Sequence, residues 1–209
     1  MTTDYRGIVT RRAAEIGTNE GKPGSTAACL QSVEELIWLA PFIDRLKSEV
    51  VLEIGIYKGG WQWVMCPFYI EGAAIIGIDS MLRHKRDGGK GELLTQLECL
   101  DKCGFKTGMF FGRSDDEQIR NEVDKALLWF ERLVDLLHID GAHDYTSARA
   151  DWDYYSKLVR PGGLVVLHDI ATQTSQMNVK QVWEEIKAEN PDKKTHEICL
   201  DAGIGVVVI

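Results

Sequence analysis

From residue 50 onward the chain alternates short apolar runs with longer segments whose apolar residues recur every three or four positions. The runs at 50–56, 74–78, 107–111, 134–139 and 164–167 read as strands, and their near-continuous apolar character suits strands buried on both faces. The segments at 61–69, 92–102, 115–130, 147–158 and 179–187 carry the helical period. Strands alternating with helices predict a parallel sheet, and right-handed crossovers place the helices on both of its faces. Two further runs, 195–200 and 203–209, are joined by Asp201 and Ala202 alone, a link that permits only an antiparallel hairpin. The expected fold is therefore α/β and doubly wound (Rossmann-like), a seven-stranded, mostly parallel sheet with one antiparallel strand near the C-terminus.

Ahead of this domain, assigned to 49–209, lies an N-terminal arm and helix at 1–48 with no core of its own. Residues 1–25 are polar and end in the breaker cluster Gly21, Lys22, Pro23, Gly24, Ser25, which predicts a mobile or substrate-covering arm. From 26 to 47, Leu30, Val33, Leu36, Ile37, Ala40 and Ile43 recur at helical spacing, with Pro41 expected to kink or split the helix.

Charge and cysteine content narrow the function classes. A formal net charge of −8 repels phosphate backbones, so the expected partner is a small molecule and not a nucleic acid. Five cysteines without a C-x-x-C pair fit neither a disulfide framework nor a zinc ribbon and read as reduced thiols. No signal-type segment and no apolar stretch of membrane-spanning length is seen, which points to the cytoplasm and to no membrane partner. A homodimer is the expected assembly.

Ligands of doubly wound sheets bind beyond the carboxyl ends of the strands, and those ends are polar here. Strand one ends in Glu53-Ile-Gly55-Ile-Tyr57-Lys-Gly59-Gly60, strand two in Asp79-Ser80, strand three in Gly112-Arg-Ser114-Asp115, strand four in His138-Ile-Asp140-Gly-Ala-His143, and strand five in His168-Asp169. The glycines allow a ligand to approach the backbone closely, and Asp79, 24 residues beyond Gly55, is placed for the hydroxyls of a ribose. The loop lacks G-x-G-x-x-G, and Glu53 would repel a pyrophosphate, so a nicotinamide dinucleotide is disfavoured. The same carboxylate suits a cationic ligand.

Five segments in order, VLEIGIYKGG, IIGIDS, LLHIDGAHDY, LVRPGGLVVLHD and GIGVVVI, resemble the class I S-adenosylmethionine-dependent methyltransferases over about residues 50 to 209. The H-I-D-G-x-H-x-Y segment followed by P-G-G and H-D resembles the metal-dependent O-methyltransferases of the macrocin and cephalosporin-hydroxylase-like group. The resemblance implies that Glu53, Gly55, Tyr57 and Gly59 form the methionine loop, Asp79 and Ser80 hold the ribose, Ser114 and Asp115 lie near the adenine, and Asp140 adjoins the cofactor. It implies Asp140 and Asp169 as ligands of a divalent metal and His143 as the general base. Tyr57 stands where many members have glycine, and His168 where macrocin-type enzymes usually have a carboxylate. His168 is then a candidate nitrogen ligand, which would turn preference from magnesium towards manganese or iron. The implied acceptor is a hydroxylated small molecule, selected by residues 1–48, 83–91 and 171–178.

Two other readings use the same residues. His138, Asp140, His143, His168 and Asp169 could form the metal cluster of a hydrolase, which leaves Glu53 and Asp79 without a role. A non-catalytic binding module on the same fold is the other, since fold does not fix function. His138 itself, inside strand four, reads as a core residue.

Overall fold

In the computed structural model, residues 3–16, 29, 31–82 and 90–209 are described. Seven strands form one sheet in the order β3-β2-β1-β4-β5-β7-β6. They are β1 Val50–Ile54, β2 Ala74–Asp79, β3 Lys106–Phe111, β4 Val134–Ile139, β5 Val159–His168, β6 Thr195–Ile198 and β7 Ile204–Val208. β1 to β5 pair in parallel, and β7 runs antiparallel to both β5 and β6, so one strand is reversed as expected. The connection between β6 and β7 is longer than the two residues read from the sequence, because pairing ends at Ile198 and resumes at Ile204.

Side-chain alternation along the strands builds two cores. Val51 of β1 and Leu136 of β4 face helices α1 Tyr5–Ile16, α2 Val33–Leu46, α3 Gly60–Met65 and α4 Lys90–Lys102. Leu52 and Ile54 of β1, with Leu137 and Ile139 of β4, face α5 Glu117–Phe130, α6 Tyr145–Tyr155 and α7 Val179–Glu189. The central strands β1, β2 and β4 are buried along their whole length, whereas the edge strand β3 is mostly exposed or half-buried.

Two N-terminal expectations are corrected. Within the polar arm, residues 5–16 are a helix that buries Val9 and Ala13 against α2 and α3. Its apolar face is narrow, too weak a period to stand out among the surrounding charges. α2 runs unbroken through Pro41, which does not split it into separate elements. Ser32 caps this helix, its hydroxyl accepting from Glu35 N–H, and Leu36, Leu39, Ala40 and Ile43 anchor it in the core on both sides of the proline. The breaker cluster at 21–25 and most of the 83–91 segment lie outside the described residues. No described helix is long and apolar enough to cross a membrane, and all five cysteines are free thiols.

Candidate functional site

The strand order reverses between β1 and β4, and the backbone there is drawn together by Gly55. This glycine has φ +86°, and a Cβ on it would sit 2.1 Å from the Asp140 carbonyl oxygen. Any side chain would force β1 and β4 apart just where a ligand crevice opens. A cleft of about 550 Å³ lies over this point, within the range of small-molecule and cofactor sites. Glu53, Gly55, Tyr57, Asp79, Ser80, Ser114, Asp140, His143, His168 and Asp169 all line it, so ten residues singled out along the sequence converge on one cavity.

Glu53 and His138 are register partners on β1 and β4, facing the α1–α4 side where the preceding positions are apolar. Both are buried. His138 Nδ1 lies 3.2 Å from Glu53 Oε1, and its ring stacks on Trp61 at a centroid distance of 4.1 Å and an interplanar angle of 12°. Glu53 Oε2 has no hydrogen-bond partner among the described residues. Burial pushes the Glu53 carboxyl above its ordinary value, against the opposing pull of His138 and of the neighbouring Gln62 side chain. His138 does not line the cleft, in keeping with its reading as a core residue.

The first loop turns on Tyr57, which adopts φ +48° although it is not glycine. That left-handed conformation is the one glycine supplies without strain at such a position, and here it is held by Tyr57 N–H donating to Asp79 Oδ2 at 2.9 Å. Asp79 Oδ1 accepts from Met81 N–H at 2.6 Å, so the β2-end carboxylate is fixed from both sides. Gly59 caps α3 in a left-handed conformation and does not line the cleft.

At the other end of the cleft, Asp140 and Asp169 close around two histidines. His168 Nδ1 is 3.3 Å from Asp140 Oδ1 and 3.2 Å from Asp169 Oδ2. His143 Nδ1 is 3.2 Å from Asp169 Oδ2, and its Nε2 is 3.7 Å from Asp140 Oδ1. Burial alone would lower His168, but the charges and hydrogen bonds of Asp140 and Asp169 outweigh it and hold the imidazole well above its ordinary value. Burial likewise opposes ionisation of Asp140, yet His168 and the other histidines bring its carboxyl below the usual range. Among the described residues, Asp140, His143 and Asp169 offer ligand atoms within 4.8 Å of one another. The histidine in that set is His143 and not His168, whose Nδ1 faces both carboxylates and whose Nε2 is buried with no partner among the described residues.

Asp115 is not part of the cleft wall. Its carboxylate pairs with Arg113 at 2.7 Å, so Arg113 and Ser114 line the cavity in its place. Sequence reading also missed Gln31, which lines the cleft from just before α2 and donates from Nε2 to Asp140 Oδ2 at 2.5 Å. Nothing in the local sequence links two residues so far apart. Trp61 is buried and also lines the cavity.

Residues 52–170 match a family described as a methyltransferase domain. The chain belongs to this methyltransferase family. The whole methyltransferase chain superposes on the O-methyltransferase TomG of Streptomyces achromogenes, involved in tomaymycin synthesis and solved with S-adenosylmethionine, at TM-score 0.65 and 13% identity, covering 100% of this chain and 91% of that one. It superposes on an O-methyltransferase of Bacillus cereus, solved with S-adenosylhomocysteine, at TM-score 0.62 and 13% identity, covering 100% and 92%. MycE of the mycinamycin pathway, solved with magnesium and S-adenosylhomocysteine, matches at TM-score 0.56 and 19% identity over 100% of this chain and 55% of MycE. At these identities the likeness establishes the shared fold. A relative by sequence, an uncharacterised protein of Sinorhizobium fredii, is 36% identical over 159 residues, or 74% of this chain. The methyltransferase chain spans only 16% of that relative's length.

Proposed function

We propose that this methyltransferase moves the methyl group of S-adenosylmethionine to a hydroxyl of a small molecule, with a divalent metal at the Asp140–Asp169 end of the cleft. The observation that carries the cofactor reading is the acidic wall. Glu53, Asp79 and Asp140 line one cavity, and Glu53 presents a buried oxygen with no hydrogen-bond partner among the described residues. An ammonium group is the donor such an oxygen lacks, and a buried acceptor left unsatisfied is costly. Asp79, oriented by two backbone N–H groups at the end of β2, places a carboxylate where ribose hydroxyls would meet it. A dinucleotide pyrophosphate would bring its negative charge against Glu53.

The metal reading rests on the donor set. Two strand-end carboxylates, Asp140 and Asp169, supply oxygen ligands suited to magnesium or manganese, with His143 beside them. Bound here, the sulfonium would supply an electrophilic methyl carbon, and the ion would orient and acidify the acceptor hydroxyl. The protein's own part is positional and protonic. Asp140 reaches both ends of the cleft, through its backbone N–H to Ile54 and its side chain towards His168 and His143, so it fixes the distance between cofactor loop and acceptor end. His143 is partly exposed in the cleft, and a ring nitrogen not engaged by Asp169 can take the hydroxyl proton. Asn178 N–H donates to the His143 carbonyl at 2.8 Å, so the 171–178 loop, expected to help select the acceptor, is fastened to this residue.

Calorimetric titration of S-adenosylmethionine and S-adenosylhomocysteine into the protein, with and without magnesium or manganese, tests the proposal. Binding that is lost in Glu53→Ala and Asp79→Ala supports it. Absence of binding under every metal condition would leave the fold without this cofactor.

A further inference from the structure

The family match begins at residue 52, yet one wall of the cleft comes from well before it. Gln31 stands next to Ser32, the cap of α2, and is only 3% exposed, so its side-chain amide is withdrawn from water. Such an amide needs partners within the fold. It has one at each end: Nε2 donates to Asp140 Oδ2 at 2.5 Å, and Oε1 accepts from Cys29 Sγ at 3.0 Å. Burial pushes the Cys29 thiol up to about 12, so the sulfur keeps the proton it donates. An ionised carboxylate accepts and cannot donate, so turning the amide over would set oxygen against oxygen. The two neighbours therefore hold the amide in one orientation.

This orientation decides how Asp140 is presented. Oδ1 lies 3.3 Å from His168 Nδ1 and 3.7 Å from His143 Nε2, on the side where Asp169 also points, while Oδ2 is taken by Gln31. The outer torsion of an aspartate is broad and nearly two-fold, so β4 can place the carboxylate without choosing which oxygen faces the ion. Gln31 makes that choice, and as a neutral donor it does so without cancelling the charge an ion needs. Its own position is secured by α2, which Leu36, Leu39 and Ile43 bury in the core. Resting on the metal reading above, we propose that Gln31 is a positioning residue for Asp140, holding Oδ2 and leaving Oδ1 as the single oxygen that Asp140 gives the ion. The N-terminal segment then completes the site and does not merely cover it.

The test titrates manganese and, separately, S-adenosylhomocysteine into the wild type, Gln31→Met and Gln31→Asn by calorimetry, with folding checked by circular dichroism. Methionine keeps the length of the side chain without its amide, and asparagine keeps the amide one carbon short of Oδ2. Both variants are expected to lose about 10- to 100-fold in manganese affinity, the usual effect of removing the hydrogen-bond partner of a metal ligand, while S-adenosylhomocysteine affinity stays within about threefold. A role in packing alone would not separate the two ligands. A folded variant that keeps wild-type manganese affinity, or one that loses both ligands in step, would overturn the assignment of Gln31 and leave the metal in place. Failure of both variants to fold would assign Gln31 to stability and overturn it equally. A wild type that takes up no manganese would instead overturn the metal reading, and this one with it.

Discussion

The side chains of the cleft differ in how completely the protein satisfies them, and that difference sorts their roles. Asp79 is held by two backbone N–H groups and Asp140 is engaged by Gln31 and His168, whereas Glu53 retains a free oxygen. His143 is the residue with two possible duties, since it can ligate an ion or take a proton. With Asp140 and Asp169 as the oxygen ligands, His143→Ala is expected to lower kcat about 100-fold or more while manganese affinity, read by calorimetry, changes less than about threefold. Loss of manganese affinity in step with kcat would make it a ligand and not the base. Asp140→Asn, by contrast, should abolish manganese binding. Most of these side chains were legible because each ends a strand, and strand ends are where this fold binds ligands. Asp115 was misplaced because a neighbouring arginine, Arg113, draws it outward, a competition that spacing does not reveal. Gln31 was not legible as a site residue, since its relation to the cleft exists only through a contact across the fold.

Among the elements, the strands of the parallel sheet were read closely and the N-terminal helices poorly, for a physical reason. Strands buried on both faces write a continuous apolar run, but α1 covers one edge of the core with Val9 and Ala13 and writes almost nothing. α2 also has a task that its own sequence conceals. Glu35 is buried in its first turn, and one carboxylate oxygen accepts from the N–H groups of Asp201 at 2.9 Å and Gly203 at 3.0 Å. It thereby fixes the β6–β7 connection, whose Ala202 lines the cleft. Glu35→Ala leaves two backbone donors without this acceptor and is expected to cost about 2 to 4 kcal/mol in urea unfolding, more than an ordinary surface change. The tight β1–β4 junction predicts a sharper result. Gly55→Ala drives a methyl group into the Asp140 carbonyl, so the variant should either fail to fold or fold without binding nucleoside, whereas Gly72→Ala, with no atom within 4 Å of its added carbon, meets no such clash and loses only the ease of a left-handed turn.

For the molecule as a whole, the buried carboxyl of Asp151 makes stability depend on pH. Burial raises this carboxyl from 3.8 to about 7, with Asp115 adding to the rise and Arg120 and Arg113 opposing it. Between those two values the folded chain holds a proton that the unfolded chain has released, so stability falls as pH increases through this window and levels off above about 7. The three-unit difference sets a ceiling of about 4 kcal/mol on the loss attributable to this one group. Asp151→Asn removes the ionisation but keeps the shape. The variant should therefore be more stable than the wild type at pH 8, by urea unfolding without ligand, and the advantage should shrink steadily towards pH 5. A pH-independent advantage would mean that Asp151 titrates normally and is satisfied within the fold.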